Sequence, residues 1–399
     1  MALQRSGIQF PLGSTICDRC VPDPFASHPY SDPSRLAYIC QVMEEIAAIT
    51  PTDQTVPIQE AHRFDTTKLD VFMKDRVEGY TPSLELSQFR GGMSNPTFMV
   101  TDGAGKRYVL RKKPPGELLP SAHAVDREFK IISALFGTKV PVSKPYALCE
   151  DEKVIGQMFY IMEFQDGRVF RGVDLPELGA QERSKIYDNM ADVLAALHEV
   201  DYAGVGLSEF GKVGGYCERQ VRRWSQQYEA SKTEELEVMD KLMAWLPENM
   251  PDDSLTCLAH GDYRLENMIF AHDGADVLAV VDWELGTLGN PYSDLAYNCL
   301  PYYAPDPRRG NLINNNPVVS GIASEQEYVA RYCKARGLSE IPHWNFYLVL
   351  SLFRLAAIVQ GVYYRGLQGN TPTADALALG NQCRDRAEVA WHLVQTNGK

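Results

Sequence analysis

Apolar and polar positions alternate at Leu84–Phe89, Thr97–Val100, Tyr108–Leu110 and Met158–Phe164, the period-two pattern of strands with one buried face. Between the third and fourth runs the period lengthens. Val125, Phe129 and Ile132 recur at helical spacing, which predicts one helix over Ala122–Leu135. A leading helix is expected at Thr66–Val77, where Leu69, Phe72 and Met73 form a single apolar stripe. Beyond Gly167 the pattern is mainly helical. Ile186, Met190, Val193, Leu194 and Leu197 mark one amphipathic helix, and Val238, Leu242 and Trp245 another. Two short strands, Leu255–Leu258 and Val277–Val281, interrupt the helices and flank the most polar part of the chain. The expected fold class is therefore α+β: a small five-stranded antiparallel lobe with one helix, then a larger, mainly helical lobe. Residues 1–60, rich in Pro, Asp, Ser and Thr with one helical stretch at Ser34–Ile49, read as an N-terminal extension. Residues 61–166 form the small lobe and 167–399 the large one.

Composition narrows the function classes. With 45% hydrophobic and 23% charged residues the chain reads as an ordinary globular protein. A net charge of −13 argues against nucleic acid or an anionic membrane as a partner. The apolar stretch Phe346–Tyr364 carries Arg354, Ser351, Gln360 and Gly361, so it is expected to be a buried helix of the large lobe rather than a membrane span. Nine scattered cysteines with no regular framework, and no evident secretory signal, point to reduced thiols in the cytoplasm. Cys17 and Cys20 have C-x-x-C spacing, but no second pair completes a zinc site, and the spacing is taken as incidental.

The chemistry concentrates in His260-Gly261-Asp262-Tyr263-Arg264-Leu265-Glu266-Asn267, followed fifteen residues after Asn267 by Asp282 at the end of an apolar run. Asp or Asn alone often does no more than cap a turn. An Asp and an Asn five apart on a loop, with an Asp ending the next strand, is what phosphoryl transfer needs. One carboxylate meets the accepting hydroxyl, while an amide and a second carboxylate hold the metal bridging the phosphates.

At these residues the chain resembles the aminoglycoside phosphotransferase and choline-kinase-like superfamily, relatives of protein kinases, in which H-G-D-x-x-x-x-N stands for the kinase catalytic loop. The resemblance implies a protein-kinase-like bilobal fold, Asp262 as the catalytic residue, and Asn267 and Asp282 as ligands of Mg2+ beside ATP (or GTP). His260 would support the loop and Asp294 brace it. Gly92, Ser94 and Asn95 occupy the phosphate-covering loop, and Arg111 stands where kinases place their phosphate-binding lysine, with Lys112 and Lys113 as neighbouring alternatives. Glu128, on the buried stripe of its helix, needs a cation, and Arg111 would supply it. Met162, Glu163 and Gln165 match the hinge that reads the adenine edge.

Residues such as Gly91–Thr97, Val109–Gly116 and Gln220–Tyr228 bring the chain near the kinase-like domains fused to acyl-CoA dehydrogenases. That subgroup implies a hydroxyacyl-CoA acceptor and action alongside acyl-CoA metabolic enzymes. Arg222 and Arg223, which share a helix face with Arg219, could grip its phosphates, and Glu284 could face either substrate or solvent. An aminoglycoside or other small-alcohol kinase is the nearest alternative. A nucleotide-binding pseudokinase that regulates a partner is the alternative of another class.

Overall fold

The computed structural model describes residues 55–89, 95–114, 124–369 and 376–397. The expected helix Ser34–Ile49, the Cys17–Cys20 pair, and Gly92 and Ser94 of the phosphate-covering loop lie outside the described residues.

The small lobe is an antiparallel sheet of six strands rather than five. In chain order these are β1 (Thr55–Val56), β2 (Leu84–Phe89), β3 (Thr97–Asp102), β4 (Arg107–Lys112), β5 (Pro145–Cys149) and β6 (Phe159–Glu163). In space they run β1-β2-β3-β4-β6-β5. Two of the six lie outside the four alternating runs: β5, which pairs with β6, and β1, which pairs Thr55 with Phe89 and Val56 with Gln88. Two residues are too few to show an alternation, and these sit in what reads as the N-terminal extension. The sheet buries Phe98, Val100, Tyr108, Leu110, Phe159 and Ile161 against Leu69 and Met73 of helix α1 (Thr67–Arg76). Helix α2 (Val125–Leu135) buries Val125, Glu128, Ile131, Ile132 and Leu135. A carboxylate thus sits among the core positions of α2, as its spacing indicates.

In the large lobe, α3 (Ala180–His198), α4 (Tyr216–Ser231), α5 (Glu237–Glu248), α6 (Pro291–Asn298), α7 (Glu325–Ala335), α8 (Trp344–Leu367) and α9 (Gln382–Asn397) surround two short hairpin-like pairs. Strand β7 (Cys257–Ala259) pairs with β10 (Thr287–Gly289), and β8 (Met268–Phe270) with β9 (Val277–Val280). The buried face of α5 is Met239, Leu242 and Leu246. It is turned by one residue from the expected Val238–Leu242–Trp245 stripe, because Trp245 lies half-buried against Phe346. Helix α8 is long and apolar enough to cross a membrane, yet 72% of its most apolar window is buried inside the protein. It packs against α4, α6 and α9.

Candidate active site

Strand β7 delivers the chain into His260, and Gly261 follows with φ +81°. A side-chain carbon there would stand 2.8 Å from the Leu285 carbonyl oxygen, so both conformation and space call for glycine. Asp294, in the first turn of α6, takes both neighbouring amides: His260 N–H at 2.7 Å and Gly261 N–H at 2.9 Å. Its helix is anchored by Asn290, whose side chain accepts from the Tyr292 and Ser293 amides ahead of Pro291. Behind Asp294 lie His198 Nε2 at 3.3 Å and, on the other ring nitrogen of His198, the Tyr332 hydroxyl at 2.7 Å. Burial alone would raise the Asp294 carboxyl. The His198 and His260 partners outweigh it and hold the group below the usual carboxylate range.

His260 is engaged at both ring nitrogens. The Asp262 amide donates to Nδ1 at 3.2 Å, so Nε2 carries the proton, and it faces the Val281 carbonyl at 3.0 Å. That arrangement uses the ring as a clamp between two loops. The Gly261 carbonyl is taken by Arg354 of α8 at 2.7 Å. The guanidinium of Arg354 lies 4.6 Å from the Tyr297 ring and 5.6 Å from that of Trp224. Sequence reasoning used Arg354 only against a membrane span and missed this contact. A lone cation in the middle of an apolar helix was the available signal, since burial demands a partner.

Asn267 donates through Nδ2 to the Asp262 carbonyl at 2.9 Å and to its Oδ2 at 3.1 Å. Pairing of β8 with β9, extended by the Val281 N–H to Asn267 carbonyl bond at 2.9 Å, carries Asp282 to the side of Asn267. Asp282 adopts φ 65° and ψ 58°. Asp tolerates this left-handed conformation better than most residues, at a cost on the order of 1 kcal/mol. From the small lobe, the Arg111 guanidinium comes within 2.7 Å of Asp282 Oδ1, and its Nε within 2.8 Å of Glu128 Oε2. The second approach is a charge contact and not an aligned hydrogen bond. Glu128 also receives the Asn95 amide at 2.8 Å and the Tyr160 hydroxyl at 3.1 Å. Burial pushes Glu128 upward and Arg111 pulls it back.

The neighbouring lysines go elsewhere. Lys112 turns to the opposite face of β4, over the rings of Phe64 and Phe98, and Lys113 lies 3.9 Å from Asp126. Glu284 lies 3.9 Å from Arg111. Burial, followed by repulsion from Asp282, raises its carboxyl to about 7; Arg111 offsets part of this, and Glu128 and Asp262 add to it.

Met162 and Glu163 end β6 opposite Val109 and Tyr108. The Glu163 amide donates to the Lys144 carbonyl at 2.8 Å, and Gln165 Nε2 donates to the Glu163 carboxylate at 2.9 Å. The stretch then crosses into the large lobe, where the Arg168 amide meets Phe270 O at 2.7 Å. On α4, Arg219 is occupied by the carbonyls of Lys212 and Gly214, while Arg222 and Arg223 are exposed. Arg223 lies 5.2 Å from the Trp224 ring.

A magnesium ion fits the donor set. The Asn267 amide nitrogen is spent on Asp262, which leaves its oxygen, and Arg111 holds one of the two Asp282 oxygens. One amide and one carboxylate suit a hard cation that keeps several waters. Among the described residues no group of three His, Cys, Asp or Glu could hold a metal by itself.

A small antiparallel lobe joined by a hinge to a helical lobe, with this loop between them, defines a protein-kinase-like phosphotransferase fold. Residues 85–337 match the model of the phosphotransferase enzyme family, and the chain belongs to that family. It is 45% identical to a candidate aminoglycoside phosphotransferase from Ralstonia eutropha, covering 84% of this chain and 99% of that one, with a TM-score of 0.77. Choline kinase from Cryptosporidium parvum shares the fold at 12% identity and a TM-score of 0.59, over 84% of this chain and 97% of that one. Acyl-CoA dehydrogenase family member 11 of Mus musculus is 43% identical over 351 residues, 86% of this chain. The chain spans only 45% of that relative's length.

Proposed function

We propose that the protein moves the γ-phosphoryl group of ATP (or GTP) to a hydroxyl of a small molecule, with a hydroxyacyl thioester of coenzyme A as the acceptor. The observation that carries the reading is the meeting of Asp262, Asn267, Asp282 and the Arg111–Glu128 pair in one cleft between the lobes. Asp262 orients the hydroxyl and accepts its proton as the oxygen attacks phosphorus. Asn267 and Asp282 hold Mg2+, which when bound neutralises phosphate charge. Arg111, kept in place by Glu128, positions the phosphates. The backbone of Glu163 and Gln165 faces the adenine edge with Met162 behind it, and Asn95 leads out of the loop that covers the phosphates. Arg222 and Arg223, exposed on α4, are free to meet the coenzyme A phosphates.

The thioester reading is supported by the identity to acyl-CoA dehydrogenase family member 11. A cytoplasmic enzyme working beside acyl-CoA metabolism is the corresponding setting. The test is ADP release with ATP, magnesium and a panel of hydroxyacyl-CoA thioesters, with kanamycin as the contrasting acceptor. Turnover on thioesters is expected. Nucleotide binding without transfer to any alcohol would overturn the reading in favour of a regulatory pseudokinase.

A further inference from the structure

A cavity of about 100 Å³ lies in the large lobe beside the catalytic loop. Arg264 and Leu265 of that loop line it, and the Arg264 guanidinium is 3.1 Å from Asp262 Oδ2, so the space opens one side chain away from the proposed base. Its walls come from distant parts of the chain: Met190 of α3, Tyr297 of α6, Ala304 and Leu312 of the following connection, and Leu355 of α8.

Two of the four arginines on the wall are paired with its two carboxylates. Arg309 forks onto Glu266 at 2.6 and 2.8 Å and reaches Asp306 at 2.9 Å, while Arg264 lies 2.8 Å from Glu266. Arg171 and Arg386 complete the charged lining. Both carboxylates on the wall are thus committed to arginine, which leaves none for an ammonium-rich acceptor. Arg386 donates to the Gln382 carbonyl at 3.2 Å, and most of the surface that faces the space is hydrocarbon and tyrosine ring.

We infer that this cavity is the subsite for an uncharged aliphatic segment attached to the hydroxyl-bearing carbon of the acceptor, and that Ala304 and Leu312 set the length it accepts. The inference rests on the phosphotransferase reading above and adds to it a chain-length limit. An apolar cavity of about 150 Å³ holds a benzene-sized ligand, so this one takes about four heavy atoms. Ala304 and Leu312 are both buried and stand outside the catalytic loop. Leucine at 304 would occupy part of the space, and alanine at 312 would enlarge it.

The experiment compares wild type, Ala304→Leu and Leu312→Ala, each first checked for a native thermal transition. Two series are run on each protein: ATP turnover with linear hydroxyalkanoyl-CoA thioesters of increasing chain beyond the hydroxyl, and calorimetric binding of linear alkanols. In wild type, kcat/KM should rise about fourfold per methylene up to the limit and then fall. Ala304→Leu should shorten the preferred chain and Leu312→Ala lengthen it, with the alkanol series shifting the same way. Turnover whose length preference is unmoved in folded variants would overturn the inference and leave the phosphotransferase reading standing. Alkanol binding that shifts as stated, with no turnover on any alcohol, would support the subsite and overturn that reading. Absence of both binding and turnover in wild type would overturn both.

Discussion

Replacing Glu284 with glutamine should stabilise the protein at neutral and higher pH and leave it unchanged in acid. Glu284 is largely withdrawn from water and stands against Asp282, Glu128 and Asp262 with only part of one guanidinium in return, and its carboxyl is raised from 4.5 to about 7. A value higher in the folded than in the unfolded chain favours folding below about 4.5, and that contribution is lost as pH rises toward about 7. At about 1.36 kcal/mol per unit the full span is worth up to about 3 kcal/mol. The side chain keeps 27% of its surface, so solvent screening brings the expected figure to about 2 kcal/mol. Glutamine keeps the shape and removes the titration. The assay is urea unfolding of wild type and Glu284→Gln at closely spaced pH values across that window. The difference in unfolding free energy should grow from near zero to about 2 kcal/mol in favour of the variant. Titrating groups remote from Glu284 are common to both proteins and cancel. A flat difference, or one that favours wild type at high pH, would refute the crowding argument.

Asp262→Asn should retain fold and nucleotide affinity while lowering turnover on the preferred alcohol by about 100-fold or more; a loss below about tenfold at unchanged thermal stability contradicts the proton-accepting role. Asp282→Ala should remove the magnesium dependence of nucleotide binding, and calorimetry with and without the metal reads it. Arg354→Met should cost about 2–3 kcal/mol in urea unfolding, the worth of a charged hydrogen bond to a buried carbonyl. It should also lower kcat, since the freed Gly261 carbonyl loosens the catalytic loop; an unchanged kcat would make Arg354 structural only.

The site was legible where its chemistry is contiguous. Residues 260–267 and Asp282 announce themselves by type and spacing, and β8 and β9 then need only pair to bring them together. Glu128 was readable for a different reason: a carboxylate on an apolar helix stripe requires a cation, and Arg111 lies on β4 in the adjoining sheet. The choice among Arg111, Lys112 and Lys113 was not readable. It turns on which face of β4 each residue takes and on where the strand ends, settled by Phe64, Phe98 and Asp126. Partners drawn from far along the chain also left no local trace. His198 and Tyr332 stand behind Asp294 while Arg354 meets the catalytic loop, all three from separate helices, and the cavity wall is gathered from equally distant segments. Strands β1 and β5 escaped: two residues carry no period, and Pro145–Cys149 has no charged or amide residue to mark an alternation.

Arg111 is a cation with two possible clients. As it stands, the guanidinium spans the cleft and neutralises Asp282, tying the sheet of one lobe to the loop of the other. On the proposed reading, Asp282 would hold a metal ion through its second oxygen, and the guanidinium would turn from Asp282 toward phosphate. The exchange is balanced only when both arrive together: metal alone would compete with the arginine for one carboxylate, and nucleotide alone would leave its charge half-answered. Glu128 would keep Arg111 through such an exchange, so that the arginine pivots rather than leaves. On that reading the ionic strut between the lobes would act as an interlock that favours the metal–nucleotide complex over either component by itself.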